Sequence, residues 1–356
     1  MKRRDFLVGA AAAAGIEMSV VSLMPIEGHG YADALQRAGV PVLDTGLQSR
    51  WDPRAGSRLT RILRDVGPDL VHSHLKHADL ASARAAPRLG IPMVSSLHVV
   101  EDEVGLLGSL KRGLAMRARD RAAARIVAVS AALRDWYLCR SSRDPNTVVV
   151  LRNGVPAPPA FPNGHRAEVR RSLEIPDDAV LCVTAAVLRP GKGIDDLLAA
   201  AAGSGEDVRF LIAGDGPEAN RLHAEAQRLG VMGGKVVFGG FVDDVAGLMA
   251  AADLLVHPSH ADALPTALIH GMAARLPIVA TAVGGTPELV GSDHGILVPP
   301  GDPEALGGAI SALAGAPERR ARMAVRSRER FDAEFEIGVW LERLIAVYRE
   351  VLAEAG

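Results

Sequence analysis

The stretch from Asp253 to Val290, DLLVHPSHADALPTALIHGMAARLPIVATAVGGTPELV, limits what this chain can fold into more than any other. Its apolar opening, Asp253 to His257, reads as a buried strand that breaks at Pro258 into a short polar loop carrying Asp262. A helix is expected from Leu264–Pro265–Thr266, with Pro265 in the first turn, where its missing N–H costs nothing. A second strand, Pro277 to Thr281, runs into Gly284–Gly285, and Thr286–Pro287–Glu288 opens another helix. Strand–loop–helix units in succession indicate a parallel sheet. Each helix start leaves backbone N–H groups unpaired and carries the positive end of the helix dipole. Side by side at the carboxyl edge of a parallel sheet, two such starts make a seat for an anion such as a phosphate. His270 lies one turn beyond Thr266 on the same face, so a group held at the helix start is within reach of both. Taken singly, each connection is equally an ordinary capped helix start.

At 356 residues the chain has room for two domains with full cores. Apolar residues make up 48 % of it and aromatics 4 %, the profile of an alanine-rich α/β protein. A net charge of −2 offers no footprint for nucleic acid. Cys139 and Cys182 stand far apart in structured segments and read as buried thiols of a reducing compartment, not as a disulfide or zinc framework. No apolar run reaches the ~20 residues that span a bilayer, so the expected location is the cytoplasm.

Short apolar strands alternate with helical spans through the first half, as in a doubly wound parallel sheet. Strands are expected at Val42–Leu43, Asp69–His72, Met93–Leu97, Arg125–Val129 and Thr147–Leu151, with a helix over Ser57–Asp65. The third of the series ends at His98, and Asp69–His72 ends in a loop His72–Ser73–His74. His72 and His74 lack carboxylate or cysteine partners at metal-ligand spacing and read as structural. From Lys111 to Arg125 six basic residues (Lys111, Arg112, Arg117, Arg119, Arg121 and Arg125) face one acid, Asp120, with Leu107, Leu110 and Leu114 at helical spacing. Such a helix either lies on anionic lipid or turns its apolar side to the sheet, the second being the plainer reading.

Residues 156–164, PAPPAFPNG, form the clearest linker. Beyond it a helix near Ala167 to Leu173 precedes a strand, Ala179 to Leu188, running into Arg189–Pro190–Gly191–Lys192–Gly193 and a helix over Ile194 to Ala202. The strand Arg209 to Ala213 ends in Gly214–Asp215–Gly216–Pro217, and Val236 to Phe238 ends in Gly239–Gly240–Phe241–Val242. These glycines serve tight turns or close approach to a ligand. The last helical span runs from Glu318 to Ala355.

The stretch from Pro258 to Glu288 resembles the donor-binding segment of the retaining GT-B glycosyltransferases of family 4, the group 1 class, whose pattern begins PS-x-x-E-G-x-P and ends V-G-G-x-P-E. It departs at both glutamates of the family's E-x7-E pair, which here are Asp262 and His270. Lys192–Gly193 aligns with the family's G-R-L-x-P-x-K-G, but Val187 stands at its arginine, and Arg189 two residues on keeps the charge and the strand parity. The resemblance implies an α/β GT-B fold: two Rossmann-like, doubly wound parallel-sheet domains facing a cleft. Residues 1–155 correspond to the acceptor-side domain, 156–164 to the linker, 165–335 to the nucleotide-sugar-binding domain, and 336–356 to a helix crossing back to the first domain. It implies transfer of a sugar from a nucleoside-diphosphate-sugar to a glycan, lipid-linked or small-molecule acceptor, with retention, and with neither cofactor nor metal. Of the implied catalytic residues, Lys192 neutralises the departing diphosphate, Asp262 holds sugar hydroxyls, and His98, in SSLH, reaches the sugar from the opposite domain. Arg189, Gly193, Gly214, Gly240, Phe241, the helix start at Leu264, Pro265 and Thr266, His270 toward the ribose, Gly285 and Glu288 line the donor. The family also places membrane contact on the segment here numbered 107–125.

The N-terminus has two readings. MKRRDFLVGAAAAAG resembles a twin-arginine export signal. It also reads, and reads better, as a helix over Arg4 to Ala14 stopped by Gly15 before a strand Met18 to Leu23. In the family that helix follows a first strand and a Gly-rich loop, which the sequence lacks. Two rival functions follow: a GT-B relative that binds sugar nucleotides with impaired catalysis, and a dinucleotide-dependent enzyme. The second lacks G-x-G-x-x-G after an early strand.

Overall fold

The computed structural model describes residues 15–27, 30–49, 51–100 and 105–356, and the helix expected over Arg4 to Ala14 lies outside them. The chain divides into two compact units, Met1–Pro156 with Ile337–Gly356, and Ala157–Glu336. Strands pair in parallel within both.

In the first unit β1 (Val20–Ser22) and β2 (Val42–Asp44), flanking α1 (Gly30–Arg37), form a two-stranded sheet. After α2 (Ala55–Val66) the chain alternates: β3 (Val71–His74), α3 (Leu75–Ala85), β4 (Met93–Leu97), α4 (Leu106–Ala122), β5 (Ala123–Ala128), α5 (Ala131–Leu138) and β6 (Val148–Val150). The four strands pair in the order β3-β4-β5-β6. Every residue of β4 is buried, as expected of an inner strand covered on both faces. Helix α2 sets Leu59 and Leu63 against Ala81 and Ala85 of α3 and ends at Gly67 in the left-handed region. The C-terminal helix, Ile337–Ala355, packs Leu344 and Val351 on Val94, Val127 and Leu151 of this unit.

A polar knot pins α3 and α4 to the sheet. Asp79 accepts from the hydroxyls of Ser73 and Ser95 and from Arg119 Nη2 at 2.6 Å. Both charged side chains are buried, so deleting one leaves the other uncompensated, at a cost of about 3–5 kcal/mol.

Four expectations change here. Strand β3 runs on through His74, where a loop was expected, because it stays in register with β4 as far as Ser96. The basic helix stops at Ala122, short of Arg125, which stands on β5 as the expected strand had it and pairs with Glu354 of the C-terminal helix. On α4 the inward side is Ala115, Met116 and Arg119, while Leu110 and Leu114 are 59 % and 51 % exposed. The leucine pair therefore does not face the sheet. Cys182 is buried as expected, but Cys139, just past α5, is exposed.

The second unit runs α6 (His165–Ser172), β7 (Val180–Ala185), α7 (Ile194–Ala202), β8 (Val208–Ala213), α8 (Ala219–Arg228), β9 (Val236–Gly240), α9 (Val245–Ala250), β10 (Leu254–His257), α10 (Thr266–Ala273), β11 (Ile278–Thr281), α11 (Thr286–Leu289), β12 (Gly295–Val298), α12 (Pro303–Ala314) and α13 (Pro317–Arg330). Its six strands pair in the order β12-β11-β10-β7-β8-β9. The chain winds outward from β7 to β9, then returns to lay β10 on the other side of β7. The chain thus leaves the two central strands in opposite directions along the sheet, and the carboxyl edge at such a reversal is where a doubly wound sheet binds ligands. Cys182, Phe210, Ile212, Leu254 and Val256 fill the core on one face against Leu197, Leu198, Leu306 and Ile310. Within the helical span expected from Glu318 to Ala355, α13 passes into a π turn at Phe331–Phe335, which buries both rings, and Glu336 is extended.

Candidate functional site

The loops after β7 and β10 meet at this carboxyl edge. Gly193, at φ +65°, ends the first and caps α7; a Cβ on it would lie 1.8 Å from the carbonyl oxygen of Pro258, which opens the second. Only glycine allows both that backbone conformation and that approach. His260 N–H donates to the Gly191 carbonyl at 2.9 Å, and Ser259 Oγ donates to it at 3.2 Å, so the loops are stitched along their length. Lys192 is thereby set with Nζ 2.5 Å from Asp262 Oδ2. His257, the buried last residue of β10, places Nε2 3.2 Å from the same oxygen. Burial works to raise the Asp262 pKa, but the hydrogen bonds from His257 and Lys192 outweigh it and hold the carboxyl below its ordinary range. Gly284 packs on the other side of Asp262, where a Cβ would stand 1.8 Å from its carbonyl oxygen.

Helix α10 starts beside Asp262. Pro265 is its N-cap, at φ −73° and ψ 105°, and not a first-turn residue as expected; no side chain caps the helix. Leu268 N–H turns back to the Pro265 carbonyl at 3.1 Å, and the N–H groups of Thr266 and Ala267 are left for a ligand or water, while Pro265 has no N–H to give. His270, half-buried, follows one turn later on this helix. The second helix start is slighter than expected: α11 is one turn long, Gly285 caps it without a side-chain bond, and Glu288 is half-buried. Thr286 is fully buried and its hydroxyl has no hydrogen-bond partner among the described residues.

The remaining donor candidates divide. Strand β7 ends at Ala185, not Leu188, so Val187 and Arg189 lie in irregular chain and the strand-parity argument for Arg189 falls away. Val187 is 58 % exposed and Arg189 is exposed as well. Gly214 and Gly216 serve the scaffold: a Cβ on either would strike the carbonyl oxygen of Ala186 or Leu188, at 1.8 and 2.3 Å. Gly240 turns at φ +62° and throws Phe241 out to 76 % exposure.

His98, in the first unit, lies just past β4 and has company the sequence did not announce. His74 Nδ1 is 2.8 Å from His98 Nε2, and His72 stacks on His74 with centroids 4.3 Å apart. His72 bonds Tyr348 Oη at 2.6 Å and Ser96 Oγ at 2.8 Å. Burial lowers all three histidine pKa values, with mutual repulsion adding to it for His72 and His74; His74 falls to about 4. Among the described residues no group of three or more His, Cys, Asp or Glu side chains is arranged to hold a metal ion.

Lys192, Gly193, Asp262, Pro265 and Gly284–Gly285 are thus brought together in the second unit. Sequence reasoning missed His257, taken only as the end of a strand, and the pairing of His74 with His98. Strand parity carried the second signal, since β3 and β4 are register-matched at His74 and Ser96, two residues short of His98.

Comparison with known proteins bears on both units. The model for glycosyl transferases group 1 matches residues 165–330, and that for glycosyltransferase family 4 matches residues 6–157. D-inositol 3-phosphate glycosyltransferase of Acidothermus cellulolyticus is 30 % identical over 313 residues, 80 % of this chain and 68 % of that one. Alpha-maltose-1-phosphate synthase of Mycolicibacterium smegmatis is 28 % identical over 314 residues, 80 % of this chain and 79 % of that one. The crystal structure of HepE from Anabaena in complex with UDP shares the fold, with a TM-score of 0.85 at 21 % identity, over 98 % of this chain and 96 % of that one. HepE has also been solved in complex with UDP-glucose.

Proposed function

The chain belongs to the group 1 glycosyltransferases of GT-B fold, and on that premise we propose that it moves a hexose from a nucleoside-diphosphate donor to an acceptor with retention, using no metal. The observation that carries this reading is the Lys192–Asp262 pair beside the uncapped start of α10. A departing diphosphate gains negative charge as the glycosidic bond lengthens. A lysine and a helix start held beside the leaving group stabilise that charge, which is usually the largest catalytic term. Lys192 would exchange the Asp262 carboxylate for phosphate oxygens, and Asp262 would turn to sugar hydroxyls. His270 offers a ribose one acceptor and one donor where a glutamate offers two acceptors. UDP-sugars are the first donors to test, because HepE binds UDP and UDP-glucose.

We assign the acceptor to the first unit and place it at a membrane surface. On α4, Leu110 and Leu114 stand exposed one turn apart, with Arg117 and Arg121 also exposed. An apolar pair flanked by arginines suits an anionic bilayer.

The test is a thermal-shift panel of UDP-, GDP-, ADP- and dTDP-sugars, since a ligand of the native state raises the melting temperature. One of them is expected to shift it; no shift from any of them refutes donor binding. Lys192→Ala should then depress turnover more than affinity. His270→Glu should retain or tighten donor binding, by about 1–2 kcal/mol. Binding without turnover is the signature of the impaired relative, which exposed Val187, at the family's arginine position, favours.

A further inference from the structure

Three histidines at the carboxyl ends of β3 and β4 form an ordered row, and its order has consequences. His72 has both ring nitrogens engaged, one by Tyr348 of the C-terminal helix and one by Ser96 of β4. Its ring is therefore fixed. His74 lies against it, tilted by 31°, and His98 stands edge to edge with His74, the two rings 27° apart in plane and 5.1 Å between centroids, as their nitrogen–nitrogen hydrogen bond requires. The chain leaves His74 through Leu75 at φ +72°, a left-handed conformation that strains a leucine. Leu75 is 50 % exposed, so its own packing does not explain the strain. What the strained turn does accomplish is to stop β3 at His74 and start α3 at once, holding that imidazole at the sheet edge.

Between His74 Nδ1 and His98 Nε2 there is room for one hydrogen. A neutral imidazole has one N–H and one bare nitrogen. If His74 donates, His98 accepts at Nε2 and must carry its hydrogen on Nδ1. If His98 donates, its Nδ1 is bare. In either case the tautomer of one ring dictates the other, and two protonated rings would set N–H against N–H. The surroundings agree: burial and the neighbouring imidazoles disfavour protonation, and the opposing acid, Asp79, is itself paired with Arg119.

We infer that His74 is a positioning residue for His98, fixing its ring orientation and its tautomer through their nitrogen–nitrogen hydrogen bond. His98 then offers a sugar hydroxyl a single hydrogen-bonding sense, donor or acceptor, in place of a mixture. This rests on the transferase reading only in giving His98 the sugar; the coupling of the two rings stands apart from it.

The test uses the full chain with ¹⁵N-labelled imidazoles and long-range proton–nitrogen spectra from pH 5 to 8, with His98→Ala to assign the signals. In the wild type, His98 should hold one tautomer wherever it is neutral. In His74→Ala, with no neighbouring ring to engage Nε2, His98 should show mixed tautomers. His74→Asn, which keeps a polar group near the Nδ1 position, should restore a single tautomer. His98 signals unchanged in His74→Ala overturn the inference. With a sugar nucleotide that the wild type turns over, His74→Ala should lower kcat on the order of 10-fold with the donor KM within about twofold, and His74→Asn should recover most of it. Equal kcat for wild type and His74→Ala overturns the catalytic consequence. Absence of turnover by the wild type counts against the transferase reading and leaves the spectra to decide the coupling.

Discussion

Gly191 and Gly193 allow the convergence of the two loops to be tested with an internal control. Both have left-handed backbones, at φ +83° and +65°, and both lie in the loop that carries Lys192. A Cβ on Gly191 meets nothing within 4 Å, whereas one on Gly193 stands 1.8 Å from Pro258 O and 2.7 Å from Pro258 C. Alanine at either position incurs the left-handed cost of about 1–2 kcal/mol. Only at Gly193 must the loops also part, by roughly 1 Å, and forcing apart close-packed chain adds about 1–3 kcal/mol. That movement pulls Lys192 from its place beside Asp262 and the start of α10, and a shift of ~1 Å at a positioned group costs on the order of 10²-fold in rate. Melting temperatures, donor affinity by titration calorimetry, and turnover should be compared for the two variants. Gly191→Ala is expected to be mildly destabilised with near-normal turnover; Gly193→Ala should be less stable and on the order of 100-fold slower. Equal losses in the two variants would refute the reasoning, because the only cost they share is the backbone one.

Acid should loosen the first unit. His74 has a folded pKa of about 4 against an ordinary 6.5, so below pH 6.5 the unfolded chain binds a proton that the folded chain refuses, and stability falls as pH drops toward 4. The full shift corresponds to about 3 kcal/mol, but the ring is partly exposed and solvent screening leaves about 1–2 kcal/mol. Urea midpoints at pH 7 and pH 5 should show the loss, and His74→Asn should remove part of it. Of the two thiols, Cys139 should react with Ellman's reagent in the native protein and Cys182 only after unfolding, since Cys182 is buried and its burial raises its pKa; two fast thiols would contradict the packing of β7. Flotation with vesicles of anionic lipid should capture the wild type and lose Leu110→Glu/Leu114→Glu, while neutral vesicles capture neither; equal flotation of both proteins would remove α4 from the membrane.

The alternation of strand and helix was legible because a buried parallel strand must be a short apolar run, and LLVH and IVAT admit little else. Where elements end was less legible. Strand β7 was expected to reach Leu188, which is apolar and buried, but its last ladder partners are Ala185 and Ala213. Beyond them Leu188 is held by Asp215 and Glu218 through loop hydrogen bonds, not by a strand. Apolar pattern records burial, and burial alone does not separate a strand from a well-packed loop. Helix α4 makes the converse point. Its leucines suggested the inward face, yet the inward face is Ala115, Met116 and a fully buried arginine whose partner, Asp79, lies 40 positions away in sequence. No local pattern reports a partner at that distance.

The site shows the same division with more at stake. Lys192 and Asp262 could be named from the sequence because the motifs around them resemble the family's, Lys192 standing between Gly191 and Gly193 and Asp262 three residues before Pro265. What the sequence withheld is that the two side chains share one carboxylate oxygen with a third group, His257. This matters for the shorter aspartate arm at Asp262. A carboxylate with a single partner can follow it; one bound by a lysine of the loop after β7 and an imidazole at the end of β10 cannot swing toward either without breaking the other contact. Gly284 and Gly285 bear on the backbone of the same residue, the first by the absence of a side chain and the second through an N–H donating to the Asp262 carbonyl at 3.3 Å. The position of Asp262 is therefore set by three loops, those after β7, β10 and β11. Replacing its arm alone, as in Asp262→Glu, changes a group whose surroundings are built to the shorter length, and a longer side chain there must displace Lys192 or His257 before it can reach a ligand.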